Sequence, residues 1–216
     1  MSTKFGPEKH AIAMHLSDIP ASKGMKMFSG FVQGLKESRQ ATGRLTDTGE
    51  KISGVSHASW LGTIGYMSLL DQIGTCFKPK LSISENGNSI RKSLKYFSSL
   101  NDTEIDAIYA LRCAFAHDFS LYNINPRKPS LTHCFKVNGN DRDPVVTLPK
   151  SNWDGDYQKK NSLNHTLINL EALGDLVELI CTKLFNDANT DQLEVVLPSG
   201  SDELLQRYSY FSLKNN

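Results

Sequence analysis

Residues 105–119, IDAIYALRCAFAHDF, are the stretch from which the fold of this chain is most directly predicted. Apolar side chains surround almost the whole of a helix built from it, which is the pattern of a buried helix. Arg112 and, five residues later, His117 interrupt that pattern. A buried arginine needs a carboxylate, a carbonyl, a phosphate or a cleft, and histidine is the side chain that titrates nearest to neutral pH. The buried helix therefore also carries the candidate site.

Further apolar residues recur at helical spacing on both sides of this stretch. They predict helices over residues 21–40, 56–77, 88–98, 101–118 and 164–186. Asn101 followed by Glu104 is close to a capping box, which places the start of the fourth helix. Residues 131–137 instead alternate apolar and polar, and the turn-rich 138–141 and the apolar 145–148 follow. This alternation predicts a β-hairpin between the last two long helices.

The predicted fold class is accordingly mainly α, a four- to five-helix bundle with an inserted β-hairpin at about 131–148. We divide the chain into an N-terminal extension (1–20), a helical domain that contains the hairpin (21–190) and a C-terminal tail (191–216). In the tail, residues 193–197 are consistent with a strand and 202–211 with a short amphipathic helix.

The charge balance excludes a strong overall field for nucleic acid or anionic membranes. The chain has 216 residues, 24 Lys and Arg against 23 Asp and Glu, and a net charge of +1. Any such binding must therefore come from a local patch. Basic clusters occur at 91–95, 127–128 and 159–160, and clusters of this length are most often solvated surface.

Several site classes lack their sequence patterns. The four cysteines have no metal-ligand or disulfide spacing, and the six histidines are scattered, so we expect reduced thiols, no metal and no cofactor. No glycine-rich phosphate loop is present. The first 20 residues have no apolar signal-peptide core, and no run of about 18 apolar residues predicts a membrane span. We therefore expect a cytoplasmic protein. The cysteines are Cys76, Cys113, Cys134 and Cys181.

Geometry alone leaves three interpretations of the Arg112–His117 segment open. On a regular helix these two residues lie about 140° apart, whereas Cys113 and His117 lie about 40° apart and share a face. A Cys113–His117 nucleophile pair is one interpretation. In a purely structural interpretation, Arg112 pairs with Asp71, an isolated carboxylate in the apolar second helix, and His117 binds carbonyls at the helix end. In the third, both residues act at a shared cleft.

Residues 112–123, RCAFAHDFSLYN, resemble the R-x4-6-H motif of the HEPN superfamily. The resemblance implies an all-α bundle and, in many members, a metal-independent endoribonuclease found among toxins, abortive-infection effectors and RNA-processing enzymes. It implies that Arg112 and His117 are the catalytic residues. It also implies a homodimer, because two copies of the motif form one cleft.

The resulting functional prediction is a HEPN-like metal-independent endoribonuclease or RNA-binding protein of toxin or defence type, which cleaves at a cleft shared by two subunits. Its expected partners are a second copy of the chain, RNA, and a cognate antitoxin or another protein, with no membrane. The alternative is a non-catalytic helical dimerisation or interaction module in which Arg112 and His117 are structural. Cys113, which stands where active members usually carry Asn, Asp or His, favours this alternative.

Overall fold

The computed structural model describes residues 7–17, 25–140 and 143–213. In this part of the chain the helices are α1 (Pro7–Leu16), α2 (Gly30–Ala41), α3 (Trp60–Cys76), α4 (Ser89–Phe97), α5 (Asp102–Asp118), α6 (Leu170–Asn189) and α7 (Gly200–Tyr208). The strands are β1 (Met25–Ser29), β2 (Phe77–Pro79), β3 (Tyr122–Asn123), β4 (His133–Asn138), β5 (Val146–Thr147), β6 (His165–Asn169), β7 (Leu193–Val195) and β8 (Ser209–Leu213). Short 3-10 turns cover Pro129–Leu131 and Tyr157–Lys159.

These strands form three sheets, so the architecture is α/β and the predicted mainly α bundle with one hairpin is wrong. β1 pairs with β8 and β2 with β7, each antiparallel. The third sheet has four strands in the order β3-β4-β6-β5 and is mixed, since β4 and β6 run parallel. Two of the three sheets thus join segments that are far apart in the sequence, which local periodicity cannot reveal.

The predicted hairpin at 131–148 is wrong because its two strands never pair. β6 lies between them, parallel to β4 on one side and antiparallel to β5 on the other. The apolar content of residues 165–169, HTLIN, predicts that they belong to the last long helix, but they form a strand whose first four residues alternate in burial. The Asn169 side chain accepts hydrogen bonds from the backbone N–H groups of Glu171 and Ala172, so α6 begins only after it.

A similar correction applies to the predicted helix 21–40. Residues 25–29 form β1, and the helix begins at Gly30 because the Ser29 side chain caps it by accepting from Val32 N–H. Residues 21–24 lie outside the described part of the chain. At the C-terminus β7 and α7 match the predicted strand and helix, but α7 ends at Tyr208, where β8 begins its pairing with β1.

The predicted helices 88–98 and 101–118 are confirmed as α4 and α5, and the predicted helix 56–77 is confirmed as α3 except at its ends, since α3 begins at Trp60 and Phe77 belongs to β2. Ser59, Asn88 and Asn101 occupy their N-caps, and Asn101 and Glu104 form the full reciprocal capping box. The Asn101–Glu104 capping box explains the agreement at α5, because both halves of this signal lie within the first turn of the helix.

α3 lies at the centre of the fold and packs against α2, α4, α5 and α6. α5 packs against α3 and α4 and also contacts the four-stranded sheet. Its residues Ile105, Ile108 and Leu111 are at most 1% exposed. This packing fixes the C-terminal end of α5 between the helices and the sheet, where Arg112 and His117 are found. No helix in the described ranges is long and apolar enough to cross a membrane.

Candidate functional site

The end of α5 holds the two residues singled out by the sequence. The helix begins at the Asn101 cap and continues to Asp118, and Phe119 closes it in the left-handed conformation with φ 50°. The Phe119 N–H donates to the Phe115 carbonyl, and the Ser120 N–H donates to the Ala114 carbonyl, each over 3.1 Å. His117 therefore occupies the last helical turn, and Arg112 lies more than one turn before it.

Arg112 is held from one side only. Its Nε donates a hydrogen bond to Asp71 Oδ2 on α3 over 2.8 Å, which is the pairing considered in the structural interpretation. The Arg112 side chain is nevertheless 35% exposed, and no described residue accepts a hydrogen bond from its two Nη groups. A guanidinium anchored through Nε alone keeps its outer N–H groups available for a bidentate anion.

His117 is exposed, and no described residue bonds or pairs with its imidazole. The structure does not bring Arg112 and His117 into contact, in keeping with their separation of about 140° around the helix. No hydrogen bond between His117 and the last carbonyls of α5 is present either, so the structural role predicted for this residue has no geometric support among the described residues.

Cys113 is engaged by a neighbour one turn back. The hydrogen bond between the Tyr109 hydroxyl and the Cys113 thiol, together with partial burial, raises the pKa of Tyr109 above its usual value, and nearby Arg112 acts in the opposite direction. No hydrogen bond joins Cys113 to His117 in the described structure, and the two form no nucleophile–base pair of the kind a cysteine enzyme requires.

Three aromatic rings support the helix end. Trp60 stacks on Phe115 with ring centroids 4.9 Å apart, and Phe119 lies 5.4 Å from Trp60 and 5.9 Å from Phe115. Phe119 is 51% exposed although it is large and apolar. An exposed aromatic side chain thus follows His117 by two residues, and exposed aromatic rings are surfaces that partner chains and nucleobases contact.

A second polar cluster, which the sequence did not indicate, surrounds a cavity of about 240 Å3 between β4, β6 and the 148–164 segment. Asp106 lies at the edge of this cavity and forms ion pairs with Arg91 and Lys128. Ser130 Oγ also donates a hydrogen bond to the Asp106 carboxylate over 3.2 Å. His133 lines it, within 3.0 Å of the Ser130 carbonyl and 2.8 Å of Thr166 Oγ1.

The hydrogen bonds of His133 fix its tautomer. A carbonyl can only accept, so Nε2 donates to Ser130 and the neutral ring accepts from the Thr166 hydroxyl at Nδ1. Burial lowers the pKa of His133, which keeps the ring neutral. The sequence signal that could have identified His133 is the alternation of apolar and polar residues in 131–137. This alternation places His133 on the same face of the strand as Phe135.

A buried ionic network joins α2, α3 and α6. Arg39 donates to Glu178 from Nε and Nη2 at 2.8–3.2 Å, and Tyr66 donates to the same carboxylate over 2.7 Å. Arg39 also binds the carbonyls of Thr46 and Asp47. Each partner of Glu178 is thereby satisfied, so this network fastens the 42–58 segment to the helices.

Metal ligation is not seen in the described part of the chain, where no three His, Cys, Asp or Glu side chains converge. The four cysteines are free thiols, three of them buried and Cys113 partly exposed.

Comparison with known proteins identified no relative of this chain. No family model matches it, and no curated protein or solved structure resembles it significantly. The HEPN resemblance therefore stays a prediction that rests on the residues of α5.

Proposed function

We propose that the protein is a metal-independent endoribonuclease of toxin or defence type that acts on RNA through Arg112 and His117. The observation that carries the proposal is the state of Arg112: Asp71 fixes its Nε, while both Nη groups keep no described partner on a partly exposed helix face. This arrangement orients a guanidinium toward an incoming anion without neutralising its outer edge. The proposal rests on these side chains and not on an all-α fold, which the chain does not have.

A second copy of the chain completes the proposed site. Arg112 and His117 diverge on α5, so one subunit cannot direct both side chains at one phosphate. A two-fold axis near the end of α5 would bring Arg112 of one subunit toward the histidine of the other. The exposed Phe119 and Leu61, the latter 69% exposed on α3, supply apolar area for such a contact.

RNA provides its own nucleophile in this scheme. One His117 imidazole removes the proton of a ribose 2′-OH, whose oxygen attacks the adjacent phosphorus and expels the 5′-oxygen. The imidazole of the second subunit protonates that leaving oxygen, and Arg112 stabilises the charge that develops on the phosphoryl oxygens. The products are a 2′,3′-cyclic phosphate and a 5′-hydroxyl end.

The test is cleavage of total or defined RNA by the purified protein in the presence of EDTA, with analysis of the product ends. The proposal predicts cutting that EDTA does not inhibit, cyclic phosphate ends, and no cutting by His117→Ala. Cys113→Ser serves as the matched control and should cut normally, because the thiol takes no part. Loss of cutting in Cys113→Ser with retention in His117→Ala would contradict the proposal.

A second candidate function is a non-catalytic interaction module. The Arg112–Asp71 ion pair favours it, because a guanidinium that only joins α3 to α5 needs no substrate. This candidate predicts that Asp71→Asn and Arg112→Ala lower stability by the same amount, about 1 kcal/mol or less for a partly exposed pair, and that the wild type leaves RNA intact.

A further inference from the structure

A cluster of three aromatic rings lies close to the end of α5. Tyr122 and Tyr157 have centroids 5.0 Å apart, and Trp153 lies 5.7 and 5.5 Å from them. Trp153 is 3% exposed, and its Nε1 donates to the Asp156 carbonyl over 2.8 Å, so it forms a fixed base. Tyr157 rests on that base and is 53% exposed. We refer to these three residues as the aromatic cluster.

Lys160 brings a positive charge to the aromatic cluster. Its Nζ donates to the Tyr122 hydroxyl over 2.9 Å and lies 5.0 and 5.9 Å from the ring centroids of Tyr122 and Tyr157. No carboxylate in the described part of the chain pairs with it. The neighbouring Lys159, in contrast, is paired with Asp154 over 2.9 Å and so cancels part of the local negative charge.

The aromatic cluster is also near the proposed site. Tyr122 follows His117 by five residues, a length of chain that spans at most about 17 Å. β3, which contains Tyr122, packs against α5, and Tyr122 N–H donates to Ser120 Oγ over 3.0 Å. The distance is one that a few nucleotides of an extended strand can cover.

We propose that the exposed ring of Tyr157, which Tyr122 and Trp153 hold edge to face at 68° and 69°, stacks an unpaired base of a single-stranded RNA, and that Lys160 contacts the adjacent phosphate. This inference rests on the proposed RNA substrate. Exposed aromatic rings combined with an unpaired cation are the two elements that bind single-stranded nucleic acid without sequence readout. On binding, Lys160 exchanges its contact with the tyrosine rings for a phosphate.

The test measures binding of a short fluorescent oligouridine whose 2′-O-methyl groups prevent cleavage, followed by anisotropy. Tyr157→Ala should weaken binding about tenfold, as loss of one stacked base does. Tyr157→Phe keeps the ring and should bind as the wild type does. Tyr210→Ala is the matched control, because Tyr210 is also exposed, at 63%, but lies on β8 in another sheet.

Removal of single bases from the oligonucleotide makes the test specific. In the wild type, an abasic site at the stacked position should weaken binding by about the same tenfold factor. In Tyr157→Ala the same abasic site should weaken binding no further, because the substitution and the missing base remove the same contact. Lys160→Ala should reduce the slope of log affinity against log salt by about 0.7, the value for one phosphate on a single strand.

Failure of this inference and failure of the proposed function give different results. If Arg112→Ala weakens binding and Tyr157→Ala does not, the stacking surface is wrong and the RNA site on α5 stands. If Tyr157→Ala weakens binding while Arg112→Ala and His117→Ala leave both binding and cleavage unchanged, the stacking surface stands and the site on α5 is wrong. A wild type that binds no RNA overturns both.

Discussion

His15 makes the stability of this fold sensitive to acid. The residue is 0% exposed and lies among Phe31, Phe77 and Tyr208, each ring centroid 5.7 Å away. Its Nδ1 has no described hydrogen-bond partner, and burial lowers the pKa of the imidazole from 6.5 to about 4. Protonation of this ring in the folded state would place a charge in the core, where no carboxylate of the described residues pairs with it.

The sign and size of the effect follow from linkage. Because the folded pKa lies below the unfolded one, the unfolded state binds the proton first, and the contribution to stability is complete above about pH 6.5 and is lost as the pH falls toward 4. A depression of this size corresponds to about 3 kcal/mol in total, and about 2 kcal/mol of it is lost between about pH 7 and pH 5.

Urea unfolding of the wild type and of His15→Gln at a series of pH values measures this term. Other groups also titrate between pH 7 and pH 5, and they contribute equally to both proteins. The effect of His15 is therefore the difference in the free energy of unfolding between the wild type and His15→Gln. We expect the wild type to lose about 2 kcal/mol more than His15→Gln between pH 7 and pH 5. Parallel stability profiles for the two proteins would refute the reasoning.

Three further predictions concern the buried polar groups and the assembly. Glu178→Ala should lower the free energy of unfolding, measured by chemical denaturation, by about 3–5 kcal/mol, because it leaves Arg39 buried without its carboxylate. Glu178→Gln should lower it by less, and equal losses for the two variants would contradict this prediction. Asn169→Ala should lower the free energy of unfolding by about 2 kcal/mol, because it removes the α6 cap and the two hydrogen bonds that Asn169 Nδ2 donates to the carbonyls of Asn140 and Asp143; Asn169→Asp should be intermediate. Sedimentation at micromolar concentration should give twice the chain mass, and a concentration-independent monomer would argue against the shared cleft.

The starts of two helices could be predicted from the sequence, whereas the Ser29 and Asn169 caps of α2 and α6 follow strands whose apolar residues also fit a helix. Asn88 and Asn101 mark the starts of α4 and α5, since each signal lies within one turn of its effect. The strand β6 could not be predicted, because its apolar residues fit either a helix or a buried strand, and only its pairing with β4 and β5 decides between them.

One part of the candidate site could also be predicted from the sequence, and another part could not. The Arg112–Asp71 pair could be predicted, because each is an isolated charge within an apolar helix and buried charges require partners. The polar cavity around His133 and Asp106 could not, since it depends on the register of β4 against β6 and on the loop that covers them. Long-range pairing carries no local signal in a single sequence.

The central claim is that Arg112 and His117 act on RNA, and the comparison of cleavage rates with thermal melting tests it most directly. The account predicts that the wild type cuts RNA in EDTA, that His117→Ala abolishes cutting with an unchanged melting temperature, and that Arg112→Ala abolishes cutting with a small loss of stability. A wild type that cuts no RNA, with Arg112→Ala affecting only the melting temperature, would contradict the account and leave Arg112 as a structural partner of Asp71.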